Sequence, residues 1–128
     1  MTLLRTVALL TLLNLPLLAQ GKNPDASDAS AAIVPGGVAI YATLNNPTMY
    51  DAYVQSGTTD VGKVELREGG KATSNITIPA YGSVELKADG PFVLVSELKG
   101  QPKAGDSINL KLMTDGGVAI AIAAVVKQ

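Results

Sequence analysis

The sequence predicts an all-β domain, an antiparallel β-sandwich of seven or eight short strands. Three observations carry this. Beyond about residue 33 apolar residues recur at every second position in short stretches, the segments between them are marked by Gly, Pro, Asn and Asp, and no stretch has the three-and-four spacing of an amphipathic helix. Regularly spaced short strands without helices pack as a sandwich or a small barrel.

At the start of the chain a single Arg5 precedes a mostly apolar run, Val7 to Leu18, which ends at Ala19 before the polar Gln20-Gly21-Lys22. This is the pattern of a secretory signal peptide over residues 1–19. A membrane span needs about 20 apolar residues, and this run is shorter and is broken by Asn14 and Pro16; an uncleaved anchor is the alternative. Residues 20–32 are small and polar without an apolar period, and they read as a flexible leader. The folded domain is therefore expected over residues 33–128.

Val38, Ile40, Ala42 and Leu44 share one face of the first clear strand, which stops at the turn-forming Asn45-Asn46-Pro47. A weaker stretch follows at Tyr50 to Gln55. Val64 and Leu66 point inward between Lys63, Glu65 and Arg67, the alternation of a sheet with one wet face. Glu68-Gly69-Gly70-Lys71 is a hairpin turn signal. Val84 and Leu86 repeat the inward pattern, with Glu85 and Lys87 outside, and so do Ile108, Leu110 and Leu112. In the closing segment Val118, Ile120 and Ile122 lie on one face and Ala119, Ala121 and Ala123 on the other, which predicts a strand buried on both sides.

Composition excludes more than it assigns. Cleavage after Ala19 would leave 109 residues with nine Lys and Arg against eleven Asp and Glu, so there is no electrostatic footprint for nucleic acid or anionic lipid. Without cysteine there is no disulfide, and an exported fold must rest on burial and hydrogen bonding. Histidine is absent too, which removes the commonest acid–base group near neutral pH and the commonest transition-metal ligand. No nucleophile elbow and no phosphate-cradling glycine loop is present. Ser83 and Lys87 are four residues apart, about 13 Å along a strand, too far for a dyad. An enzyme is not expected. The pairs Glu65 with Arg67 and Glu85 with Lys87 read as solvated faces, and Asp25 with Asp28 lacks the spacing of a calcium loop. Met49 and Met113 are the methionines beyond the signal; two thioethers alone make a weak copper set, and both read as packing or surface residues. Tyr41, Tyr50, Tyr53, Tyr81 and Phe92 are the aromatic complement, in which Tyr50 and Tyr53 flank a turn and could form an exposed contact patch.

Val64-Glu65-Leu66, an Ile78-Pro79-Ala80-Tyr81-Gly82 turn, Val84-Glu85-Leu86, Asp89-Gly90, an apolar strand, Leu98-Lys99 and Gly105-Asp106 follow one another in this order. In that order and spacing, over about Val38 to Val126, the chain resembles the periplasmic copper chaperone family PCu(A)C. The resemblance implies a cupredoxin-like sandwich with an Ig-like Greek key, and a role in envelope copper handling or cytochrome oxidase assembly. It implies as partner an envelope protein of that traffic, with a periplasmic or secreted location. In that family Cu(I) is held by a His with a Met two positions later, a further Met, and a His-x-Met pair, soft donors that suit a soft ion. Carried onto this chain, the first His falls on Arg67 and its Met on Gly69, while the second pair falls on Phe92 and Leu94. The remaining Met finds no position, since no methionine lies between Met49 and Met113. No metal ligand and no cofactor is therefore expected at the usual site, copper being the ion implied if the family function is retained. The alternative is a metal-independent binding or structural module, with Phe92 and Leu94 in an interface or in the core.

Overall fold

The computed structural model describes residues 23–127, so the expected signal peptide lies outside the described residues. Ten strands follow in order: β1 (Asp25–Val34), β2 (Gly37–Asn46), β3 (Ala52–Thr59), β4 (Lys63–Glu68), β5 (Lys71–Ala72), β6 (Ile76–Ile78), β7 (Gly82–Glu85), β8 (Pro91–Ser96), β9 (Ser107–Thr114) and β10 (Ala119–Lys127). They form one hydrogen-bonded path, β5-β4-β8-β2-β1-β10-β9-β3-β6, with β7 also paired to β2. Every pairing is antiparallel except that of β1 with β10. The all-β sandwich expected from the alternation holds.

The sheet doubles over on itself, and its two halves share one core. Val38, Ile40, Ala42 and Leu44 of β2, Val93 and Val95 of β8, Ile108, Leu110 and Leu112 of β9, and Ile120, Ile122 and Val126 of β10 all meet in it. At Gly57 in β3 an added Cβ would stand 2.6 Å from Val64 Cγ1 and 3.0 Å from Leu112 Cδ2, so a glycine lets the chain approach β4 there.

Two sequence expectations need correction. The segment read as a flexible leader is largely β1, placed centrally between β2 and β10, so the domain begins at Asp25 and not near residue 33. Its alternation is hidden by an irregularity between Ser27 and Ser30, where Asp28 adopts φ +53°. The shift of register brings Ala26 and Ala31, five positions apart, to the same core, where strict alternation would put them on opposite faces. The strand is held mainly through its backbone, with small side chains beneath its neighbours and Asn45 Nδ2 donating to Asp25 Oδ1 at 2.9 Å.

The second correction concerns β10, which is buried on one side only. Ile120, Ile122, Ala124 and Val126 face the core, whereas Ala119, Ala121, Ala123 and Val125 are exposed. Alanine is apolar but small enough to stand in water at little cost, so the run of alanines imitates a second buried face. Val118 precedes the strand.

A candidate site on β4 and β8 and the family of the chain

β4 and β8 run antiparallel with Glu65 opposite Leu94 and Arg67 opposite Phe92. Ala39 of β2 lies opposite Leu94 on the other side. These residues alternate with Leu66, Val93, Ile40 and Val95, which point into the main core, and of them only Phe92 also packs against that core. Outside the sheet they form a shallow depression of about 250 Å³, lined by Val34, Pro35, Ala39, Tyr41 and Ala88 together with Arg67, Gly69, Phe92 and Leu94. All four positions carried over from the family ligand set thus meet in one place.

What meets there is hydrocarbon and one cation. The Tyr41 and Phe92 rings stand edge to face, 6.2 Å between centroids at 60°, a favourable quadrupole arrangement. With Leu94 they border Ala39, which is 1% exposed although it faces outward. Arg67 Nη2 donates to Gly70 O at 2.7 Å and Nη1 lies 3.5 Å from Glu65 Oε1, while Ser96 Oγ donates to Glu65 Oε2 at 2.6 Å. Arg67 Nε is buried without a partner. The Glu65–Arg67 pair, read from sequence as a solvated face, is in fact about three-quarters covered.

Arg67 and Gly69 are not related in the way that Phe92 and Leu94 are. Positions 92 and 94 share one strand and one face, but β4 ends at Glu68, and Gly69 sits in the turn of the β4–β5 hairpin with φ +63°. The hairpin read from Glu68 to Lys71 is present, with Glu68 opposite Lys71. The two-residue step from Arg67 to Gly69 therefore turns a corner that only glycine takes easily.

Donor chemistry at the depression does not suit Cu(I). A guanidinium has no lone pair to give and keeps its charge, phenyl and isobutyl groups have no donor atom, and the Tyr41 phenol is a hard oxygen. Among the described residues no group of three or more His, Cys, Asp and Glu stands close enough together to hold a metal ion. Met49 is exposed in the loop after β2, and Met113 is half-buried in β9 opposite Ala119 and Ser56, outside the main core.

Residues 25–126 match the model of the LpqE-like family, whose description is of a lipoprotein. The chain belongs to the LpqE-like family. Its match begins at the first residue of β1, in keeping with a domain that includes that strand. No curated protein matches the chain. Solved structures similar to it include PCuAC domains. The copper-bound PCuAC domain from PmoF2 is 14% identical with a TM-score of 0.68, covering 80% of this chain and 90% of that one. The apo PCuAC domain from PmoF1 is 13% identical with a TM-score of 0.69, covering 80% and 91%. The Cu(I) form of DR1885 from Deinococcus radiodurans is 28% identical with a TM-score of 0.66, covering 80% and 78%. This LpqE-like chain shares the cupredoxin-like β fold of the PCuAC domains, the fold that its sequence resemblance implied.

Proposed function

We propose that this chain is an exported PCu(A)C-type protein whose usual copper position no longer takes copper. It acts in envelope copper handling or cytochrome oxidase assembly by contact with a partner, and not by carrying Cu(I) at that position. The supporting observation is that Arg67, Gly69, Phe92 and Leu94 converge on one depression without an imidazole or a thioether ligand among them. The Tyr41–Phe92 pair and Leu94 occupy the space by packing, and the Arg67 charge repels a cation. This is a binding protein and not an enzyme. Among the described residues no helix is long and apolar enough to cross a membrane. A periplasmic or secreted location fits the export signal expected over residues 1–19. A metal-independent binding module of the cell envelope is the second reading, favoured by how completely the outward-facing Ala39 is covered.

The test is anaerobic competition for Cu(I) between the protein and a chromophoric chelator. The chelator should keep its copper; tight one-to-one transfer to the protein would overturn the proposal. Residues 67 and 92 face each other across two strands and residue 94 follows on the same face, so Arg67→His, Phe92→His and Leu94→Met together should create Cu(I) affinity. Gly69 is spared in this variant, because its backbone suits no methionine.

A further inference from the structure

The opposite end of β2 carries a second feature. Beyond Asn46, roughly 17 Å along the strand from Tyr41 at the usual strand rise, Met49 is 61%, Tyr50 73% and Tyr81 71% exposed, with Tyr53 beside them partly so. The loop from Pro47 to Asp51 meets the Pro79–Tyr81 turn, because Tyr81 N donates to Thr48 O and Ala80 N donates to Asp51 Oδ1. The turn after β9 joins through Asp115, whose Oδ1 accepts from Tyr53 N and whose own N donates to Tyr53 O.

This end is built, not loose. Asn46 is buried, and its Nδ2 donates to Tyr50 O at 2.8 Å and to Ile78 O at 2.9 Å while its Oδ1 accepts from Thr48 N and Thr48 Oγ1. Tyr81 is held at φ +55°, a conformation that a bulky side chain rarely adopts. Fixing a backbone in this way while leaving three rings in water lowers the ordering cost of binding. The charges are one-sided: residues 45–55, 76–83 and 113–118 contain Asp51 and Asp115 and no Lys or Arg. Both carboxylates are exposed, and neither is ion-paired among the described residues. Amide hydrogen-bond donors are largely spent within the loops, since both Asn46 amide protons and the N–H groups of Thr48, Tyr53, Ala80 and Tyr81 are used. Aromatic faces, their neutral phenol hydroxyls and two carboxylates remain, which suits a donor-rich cation and offers no counter-charge to an anion.

We propose that this end of the sandwich docks a lysine- or arginine-bearing segment of a partner protein, over Tyr50, Tyr53 and Tyr81 with Asp51 and Asp115 as counter-charges. The inference uses none of the residues of the copper depression, so either proposal can fail alone.

Titration of the ¹⁵N-labelled protein with a short arginine- and lysine-containing peptide at low ionic strength should shift the amide resonances of Met49 to Tyr53 and of Tyr81. Asp51→Asn with Asp115→Asn keeps the internal acceptors and should weaken the peptide severalfold, as should added salt. Tyr50→Ala with Tyr81→Ala should abolish the shifts while the rest of the spectrum stays in place. The proposal is overturned if the basic peptide leaves these resonances unmoved, if a glutamate-containing peptide of equal length shifts them equally, or if a neutral oligosaccharide does so in its stead.

Discussion

The chain places aromatic residues at two ends of one sheet and treats them in opposite ways. At the depression, Tyr41 and Phe92 are held by contact with each other and with the apolar residues that cover Ala39. At the far end the rings of Tyr50 and Tyr81 are left in water, and it is the backbone beneath them that is fixed, through Asn46, Asp51 and Asp115. Side-chain packing contributes to stability through area removed from water. A hydrogen-bonded loop with uncovered rings contributes little that way and presents a preformed surface instead. Where the interactions are concentrated, on ring or on backbone, separates an aromatic that closes a site from one that offers a site.

That contrast can be broken or sharpened by substitution, with urea unfolding as the measurement. The largest effect is expected from Asn46→Ala, which strips the side-chain partner from Ile78 O and Thr48 N and leaves Tyr50 O with Thr48 Oγ1 alone. A loss of about 3 kcal/mol is expected from buried groups left unsatisfied; a loss below about 1 kcal/mol would show that the loop is not fixed by this side chain. Phe92→Ala comes next. Full burial of Phe corresponds to about 3–5 kcal/mol on truncation, and half-burial here should reduce this to about 2 kcal/mol. Arg67→Met removes a partly covered ion pair, for which about 0–1 kcal/mol is usual, together with the orphaned Nε. Its net change should stay within about 1 kcal/mol. Smallest of all should be Tyr50→Ala and Tyr81→Gly, each within about 0.5 kcal/mol, with Tyr81→Gly leaning toward stabilisation because glycine accepts φ +55° freely. If Tyr50→Ala proved as costly as Phe92→Ala, the two ends would not differ in kind.

Alternation made most of the sandwich legible: the inward faces of β2, β4 and β9 were readable because apolar residues recur there at every second position, while in β10 the inward face was legible but the exposed alanines imitate a second buried one. β1 was not, for a physical reason. Its core contacts come from alanines displaced by a bulge, and although β2 follows it directly, its other edge is paired to β10 at the far end of the chain, which no local pattern encodes. At the site, the positions of Arg67, Gly69, Phe92 and Leu94 were found through motif order, and their convergence required the β4–β8 register. The turn at Gly69 was announced by its own residues, yet its consequence for two-residue spacing appeared only once β4 was seen to end at Glu68. The tyrosine end was half visible. Tyr50 and Tyr53 marked a turn, but Tyr81 joined them through Thr48, more than thirty residues earlier in the chain, which alternation alone does not reveal.

The central position of β1 limits where the chain can be cut. A strand hydrogen-bonded on both edges cannot be shed without parting β2 from β10. Any protease that trims the leading segment must halt before Asp25, and an expression boundary drawn at residue 33, where the apolar pattern starts, would yield a split and aggregation-prone sheet.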